Sequence, residues 1–95
     1  MTSWSVYILH CSDGSLYTGI AKDVARRVVE HNVNDVLAAN YTRSRRPVTL
    51  VYQEGLDTRA TASKREYEIK QMRRQEKMAL IAAAGTVVST LHPGN

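Results

Sequence analysis

Two short apolar runs, each carrying a tyrosine, constrain the fold of this chain more than any other feature. Residues 5–9 read Ser-Val-Tyr-Ile-Leu around Tyr7, and residues 16–20 read Leu-Tyr-Thr-Gly-Ile around Tyr17. Residues 11–15, Cys-Ser-Asp-Gly-Ser, are mostly turn formers. Two such runs joined by a turn predict a β-hairpin. Because side chains alternate between the faces of a strand, the two hydroxyls can lie side by side.

The segment that follows the hairpin predicts a helix over residues 23–32. Asp23 suits the N-cap, because its carboxylate can accept hydrogen bonds from the free N–H groups of the first turn. Arg27 and His31 are one turn apart and therefore share a face, beside the apolar stripe that is expected to pack on the sheet. A guanidinium and an imidazole beside the hairpin favour phosphate chemistry, since arginine offers a rigid fork of donors.

Three further elements complete the predicted fold, a strand and two helices over residues 48–52, 58–73 and 75–84. Asp57 or Thr58 would cap the second helix, and Gly85 would end the third. The order β-β-α-β-α-α predicts an α/β fold, a small three-stranded and mainly antiparallel sheet flanked by helices. We expect one domain over residues 1–85 and a loosely held C-terminal tail over residues 86–95.

Glu66 is predicted on the inward side of the second helix, one turn after Ala62 and about one turn before Ile69. A carboxylate there needs a partner, because an unpaired buried charge is costly. One alternative is a salt bridge to Arg27 or to another basic residue. The other is a hard divalent cation such as Mg²⁺, which takes one or two protein carboxylates and keeps several waters.

In sequence order, four features of the chain resemble the GIY-YIG nuclease domain: Val6-Tyr7, Tyr17-Thr18-Gly19, the helix with Arg27 and His31, and the helix with Glu66. The likeness extends from about residue 4 to about residue 85, and the spacing is similar to that of small stand-alone members. Ser5 replaces the first glycine of the name motif, and Thr18 replaces the isoleucine of the second. Neither position carries chemistry in that family.

The resemblance implies catalytic roles for five residues. Tyr7 would be the favoured general base, which takes a proton from water, and Tyr17 would orient the water or the scissile phosphate; the residues alone leave open which tyrosine is the base. Arg27 would stabilise the charge of the transition state, His31 would contact a phosphate or hold Tyr17, and Glu66 would bind Mg²⁺ or Mn²⁺. The alternative for the two tyrosines is a structural role, because tyrosines in strands usually pack in the core with the hydroxyl in water. Since a free phenol has a pKa of about 10, the base needs a neighbouring cation.

Basic residues predict a polyanionic partner. The chain has a net charge of +4, and its thirteen lysines and arginines all fall between Lys22 and Lys77. The densest stretch, residues 41–47, combines arginines with a tyrosine that could stack on an unpaired base. The candidate nucleic-acid contacts are Arg26, Tyr41, Arg43, Arg45, Arg46 and Lys64. The alternative for these residues is a solvated loop and solvated helix surfaces.

Composition narrows the function classes. One cysteine excludes an internal disulfide and a cysteine-based zinc site. The N-terminus does not have the pattern of a secretion signal, and no apolar run approaches the roughly 18 residues of a membrane span, so we expect a cytoplasmic protein without a membrane partner.

The predicted function is metal-dependent hydrolysis of DNA by an endonuclease-like phosphodiesterase, structure-directed or weakly specific. Its role would be in repair or nucleic-acid processing, with a protein partner for substrate targeting. The alternatives are a nucleic-acid-binding module with little or no catalysis and a protein-interaction domain.

Overall fold

A computed structural model of the protein describes residues 3–91, with side chains over residues 3–84. Within that range the strands are β1 (Trp4–His10), β2 (Leu16–Ala21) and β3 (Thr49–Leu56). The helices are α1 (Val24–Val33), α2 (Asn40–Arg43), α3 (Arg59–Gln71) and α4 (Arg74–Leu91). The predicted α/β class and element order are confirmed, and the short helix α2 is added between α1 and β3. None of the described helices has the length and apolar character that crossing a membrane requires.

The sheet has the strand order β2-β1-β3, and both pairings are antiparallel. The predicted hairpin of β1 and β2 is therefore present. In its register Tyr7 lies opposite Gly19, and Leu9 lies opposite Tyr17. The two tyrosines are thus diagonal neighbours on one face of the hairpin, within reach of long aromatic side chains.

Helices cover both faces of the sheet, which explains why β1 is apolar at successive positions. On the face that carries Tyr7, the buried residues are Tyr7, Leu9, Cys11, Ala21, Val24 and Val48. On the opposite face they are Val6, Ile8 and Ile69, with Leu80 and Ile81 packed against them. The first helix therefore packs on the tyrosine face, as predicted, while α3 and α4 pack on the other.

Helix ends differ in part from the predictions. Thr58, and not Asp57, caps α3, and it exchanges hydrogen bonds with Thr61 in a capping box. The predicted helix end at Gly85 is wrong, because α4 continues to Leu91. An internal glycine costs a helix about 1 kcal/mol, and the three alanines before it are strong helix formers. The predicted tail thus begins inside α4, and its residues 92–95 lie outside the described residues.

The third strand is longer than predicted. It continues through Gly55 and Leu56, which pair with Ser5 and Trp4 of β1. The sequence around Gly55 predicts a turn, but strand pairing across the sheet holds it extended. The turn moves two residues later and leads directly into α3.

Candidate active site

Tyr7 lies at the centre of the sheet, and its side chain is buried, with 1% of the residue exposed. The facing residue, Gly19, leaves space for the phenol ring. A Cβ at position 19 would lie 2.6 Å from the Tyr7 hydroxyl oxygen and 2.8 Å from Cζ. Only glycine fits there without displacing the ring. The role of Gly19 was not predicted from sequence, although the hairpin register points to it.

His31 is fully buried beneath the two tyrosines. Its Nε2 lies 2.8 Å from the Tyr7 hydroxyl, and its Nδ1 lies 2.8 Å from the Thr42 hydroxyl. The imidazole also makes edge-on ring contacts, with centroids 5.9 Å from Tyr7 and 5.2 Å from Tyr17. Since both nitrogens are hydrogen-bonded inside the protein, neither is free for the phosphate contact considered from sequence. His31 holds Tyr7 by a hydrogen bond and touches Tyr17 by its ring edge.

Burial keeps both members of the Tyr7–His31 pair neutral. It raises the pKa of Tyr7 to about 12, with the charges of Tyr17 and Glu66 adding to the effect and Arg27 opposing it. It lowers the pKa of His31 to about 4, helped by Arg27 and Arg46. At neutral pH Tyr7 is therefore a neutral phenol and His31 a neutral imidazole.

Arg27 projects from α1 beside Tyr7, on the face predicted for it. Its Nη1 donates to Glu30 Oε1 at 3.0 Å and to the Leu37 carbonyl at 2.7 Å. Burial acts against the charge, but the Glu30 carboxylate and the Tyr7 hydroxyl raise the pKa of Arg27. The guanidinium is therefore charged, fixed in place and 26% exposed, which suits a phosphate clamp.

Glu66 lies on the inward side of α3, between buried Ala62 and Ile69. Its Oε2 is 3.2 Å from Lys70 Nζ, so of the two partners considered from sequence, Arg27 or another basic residue, the second is observed. Because Lys70 is half exposed, the pair is weak and leaves the carboxylate available. The charge of Glu66 contributes to the raised pKa of Tyr7, which places both in one electrostatic neighbourhood.

The donor set around Glu66 decides which ion fits. Among the described residues there is no group of three or more His, Cys, Asp or Glu that could hold a metal. Zinc sites need three or four such ligands, whereas Mg²⁺ accepts one carboxylate and completes its shell with water and phosphate oxygens. A single carboxylate, 23% exposed, thus fits Mg²⁺ or Mn²⁺ bound together with a phosphate.

The loop after α1 forms an aromatic wall beside the site. The Tyr41 ring stacks on Tyr17, with centroids 5.8 Å apart. The Arg45 guanidinium lies 3.9 Å from the Tyr41 ring centre, and its Nε pairs with Asp13 in the hairpin turn at 2.9 Å. Arg45, predicted to contact nucleic acid, is therefore engaged in joining the loop to the hairpin. Tyr41 itself remains 37% exposed.

Arg46 is directed into the protein. Its Nε donates to the His31 carbonyl at 2.7 Å, and its Nη1 pairs with Asp35 at 2.8 Å. Within the described residues its Nη2 is buried without a hydrogen-bond partner. Arg46 thus braces the end of α1, which differs from the solvent-facing contact predicted for it.

The remaining predicted contacts lie at the surface. Arg26 is 76% exposed and pairs with Glu30 at 3.3 Å. Arg43 is exposed, and its Nη2 makes a long contact of 3.5 Å with the Ala38 carbonyl. Lys64 is also exposed. These three cations can meet a nucleic-acid backbone without breaking a buried contact.

Asn32 fixes the helix that carries the site. Its Nδ2 donates to the Val48 carbonyl at 3.0 Å, and its Oδ1 accepts from the Val48 N–H at 2.7 Å. The side chain thereby satisfies both polar groups of one backbone unit ahead of β3. These two hydrogen bonds hold the end of α1 against the sheet.

Comparison with known proteins agrees with this arrangement. The GIY-YIG catalytic domain family model matches residues 3–79. A UPF0213 protein of Staphylococcus aureus is 59% identical over 81 residues, which cover 85% of this chain and 96% of that protein. The UPF0213 protein DP2720 of Desulfotalea psychrophila is 50% identical over 90 residues, covering 95% and 81%. The solution NMR structure of the protein EF2693 from E. faecalis has a TM-score of 0.61 at 35% identity, covering 90% of each chain.

The family model matches well over half of the chain, and the match contains every residue of the site described above. Of the four features that carry the likeness, the two tyrosine strands and α1 meet on the tyrosine face of the sheet, and α3, which carries Glu66, packs on the other face. The chain therefore belongs to the GIY-YIG domain family, among the UPF0213 proteins.

Proposed function

We propose that this protein is a metal-dependent nuclease that hydrolyses phosphodiester bonds in DNA. The observation that carries the proposal is the coupling of three groups at one place. The Arg27 guanidinium and the Glu66 carboxylate are both close enough to the Tyr7 hydroxyl for their charges to act on it. A general base, a cationic clamp and a metal-binding oxygen are the set that hydrolysis of a phosphodiester needs. Membership of the GIY-YIG family supports the same activity.

Glu66 would hold Mg²⁺, or Mn²⁺, and the bound ion would act as a Lewis acid that offsets charge on the phosphate. Arg27 would bind the non-bridging phosphate oxygens, since its guanidinium stays charged at any working pH. Because Glu30 and the Leu37 carbonyl already fix its position, Arg27 needs little reorganisation when negative charge develops in the transition state.

The Tyr7–His31 pair gives the attacking water a path for its proton. The Tyr7 oxygen would accept a proton from water while the phenolic proton moves to Nε2 of His31. The water oxygen forms its bond to phosphorus, the bond from phosphorus to the 3′ oxygen breaks, and that oxygen takes a proton from solvent. The products are a 5′ phosphate and a 3′ hydroxyl, and the imidazolium then returns its proton to solvent.

Substrate binding is what makes this transfer accessible. A phosphate anion near the site stabilises an imidazolium and so raises the pKa of His31 above its resting value of about 4. Arg27 already acts to lower the pKa of Tyr7. The effect of Arg27 is already part of the resting balance, where it also lowers the pKa of His31. A bound phosphate would offset that second effect and so tie base activation to the presence of DNA.

Surface charge supports weak and sequence-independent binding. Arg26, Arg43 and Lys64 are exposed and suited to the phosphate backbone, and contacts of this kind carry no sequence information. We therefore infer a structure-directed or weakly specific enzyme that acts in repair or nucleic-acid processing. A cytoplasmic location and a protein partner that supplies targeting belong to the same proposal.

The test is cleavage of labelled single-stranded, duplex, flapped and branched DNA in Mg²⁺, in Mn²⁺ and in chelator. The wild type should cut only with metal, and Glu66→Gln should lower the rate by about 100-fold or more, because the carboxylate is lost without a change of shape. Glu68→Gln is the matched control, since Glu68 lies on the same helix, half exposed and paired with Arg65. Cutting in chelator, or full activity of Glu66→Gln, would refute the metal role.

Binding without cutting by the wild type would instead favour the alternative function, a nucleic-acid-binding module. One observation favours this alternative: in the free protein neither Tyr7 nor His31 is charged at neutral pH. Binding in chelator by mobility shift, measured on the same substrates, separates the two functions.

A further inference from the structure

Three side chains from three elements form a chain of hydrogen bonds behind the site. The Tyr7 hydroxyl of β1 bonds to Nε2 of His31 in α1, and Nδ1 of His31 bonds to the Thr42 hydroxyl in α2. Thr42 is fully buried, as is His31. The sequence singled out the neighbours of Thr42 as nucleic-acid contacts and gave Thr42 itself no role.

The end of this chain favours one direction for its protons. The Thr42 hydroxyl lies 3.1 Å from the Ala39 carbonyl, in the first turn of α2, and 2.8 Å from Nδ1 of His31. A hydroxyl has one proton to give, and the carbonyl can only accept. When that proton goes to the carbonyl, Nδ1 of His31 carries the imidazole proton, and Nε2 has a lone pair that accepts from Tyr7.

The opposite tautomer leaves a buried donor without an acceptor. If Nε2 carried the proton, it would donate to the Tyr7 oxygen, and the Tyr7 O–H would have to point elsewhere. Within residues 3–84 the Tyr7 hydroxyl has one hydrogen-bonded partner, His31 Nε2. A buried hydroxyl with no acceptor is disfavoured, so the geometry selects the tautomer with Nδ1–H.

We propose that Thr42 is a positioning residue that holds His31 in the Nδ1–H tautomer, so that Nε2 is ready to receive the Tyr7 proton. The inference rests on the proposed nuclease function for its kinetic consequence, but not for its structural content. Thr42 touches no substrate and acts through His31 alone. It also assigns a purpose to α2, a four-residue helix that presents this hydroxyl to the imidazole.

The proposal also distinguishes between the two tyrosines. Tyr7 has a hydrogen-bonded acceptor for its proton, whereas Tyr17 meets His31 only through ring edges. With Nδ1 protonated, a proton that leaves Tyr7 can enter Nε2, and the imidazolium formed keeps its Nδ1–H bond to Thr42. In this step the water loses one proton, the phenol gives one and receives one, and the imidazole gains one. No other group changes its protonation state.

The test compares Thr42→Val, which replaces the hydroxyl by a methyl of similar size, with Thr42→Ser, which retains the hydroxyl. Thr49→Val is the control, because Thr49 is exposed on β3. Nitrogen NMR of the His31 ring should show Nδ1–H in the wild type, Thr42→Ser and Thr49→Val. Thr42→Val should shift the ring toward Nε2–H. In cleavage assays Thr42→Val should lower kcat by about tenfold or more with KM unchanged, and Thr42→Ser should restore it.

Two results would overturn the proposal. One is an NMR spectrum in which the wild-type His31 ring carries its proton on Nε2. That measurement requires neither a variant nor enzymatic activity. The other is Thr42→Val with Nδ1–H and normal kcat. Should the wild type cut no DNA at all, the nuclease function fails while the NMR result still decides the tautomer. Should Thr42→Val fail to fold, the wild-type spectrum and Thr42→Ser decide it.

Discussion

Acidification should destabilise this protein through one buried side chain, His31. The pKa of His31 is about 4 in the folded protein and about 6.5 in an unfolded chain. Between these values the unfolded state binds a proton that the folded state excludes. The free energy of unfolding therefore rises with pH across this window. The contribution is fully present above about pH 6.5 and is lost as the pH falls toward 4.

The size of the effect follows from the two pKa values. Each pH unit below the unfolded pKa removes about 1.4 kcal/mol while the folded state stays unprotonated. From about pH 7.5 to about pH 5 the expected loss is therefore about 2 kcal/mol. A small domain has only about 5–15 kcal/mol of stability in total, so the loss is easily measured. The carboxyl groups of Asp13 and Glu54, whose pKa values are lowered, titrate below this window.

Urea unfolding followed by circular dichroism at several pH values measures the slope. We expect the wild type and His10→Gln to lose about 2 kcal/mol between about pH 7.5 and about pH 5, since His10 is exposed on β1. His31→Gln should be less stable at neutral pH but nearly flat across the window. Equal slopes in His31→Gln and the wild type would refute the assignment. A direct NMR titration of His31 in the wild type gives the same answer without a variant.

Three further predictions follow from single contacts. Gly19→Ala should lower the free energy of unfolding by about 2–3 kcal/mol and abolish cleavage, because its Cβ would displace the Tyr7 hydroxyl; a urea midpoint equal to that of the wild type would contradict this. Asn32→Ala should cost about 2 kcal/mol in the same assay, since both bonds to Val48 are lost. Asn32→Asp should also destabilise the protein, because it keeps the bond from the Val48 N–H but sets a carboxylate oxygen against the Val48 carbonyl. Arg43→Ala should weaken DNA binding and reduce the slope of log K against log salt concentration by about one. Its urea midpoint should equal that of the wild type. An unchanged slope would show that Arg43 does not contact DNA.

The elements that sequence predicted correctly are those with a strong periodic signal. The two tyrosine strands are short apolar runs joined by a turn, and α1 has its N-cap at Asp23 and carries Arg27 and His31 one turn apart. Such features depend on residues within a few positions of one another. The inward position of Glu66 on α3 also followed from helical spacing, and a basic partner for its carboxylate was among the alternatives, although the spacing did not single out Lys70.

What sequence could not show depends on contacts between distant residues. Arg45 pairs with Asp13, which is 32 positions away, and Arg46 donates to the backbone of His31, which is 15 away. A local run of arginines predicts a surface for nucleic acid, because nothing in the run itself reveals an internal partner. Helix α2 is likewise too short for a periodic pattern, and its buried Thr42 was missed for that reason.

The basic loop, residues 41–46, lines the candidate site, and contact of its arginines with DNA stays a prediction. Tyr41 stacks on Tyr17, and Thr42 is hydrogen-bonded to His31. Arg45 joins the loop to the hairpin, and Arg46 joins it to α1. Replacing Arg43 should change DNA binding alone. Replacing Arg45 or Arg46, which carry the same charge, should disturb the Tyr7–His31 pair. On the proposed function, the exposed Arg43 should contribute to the salt dependence of DNA binding, whereas Arg45 and Arg46 hold the loop beside the Tyr7–His31 pair.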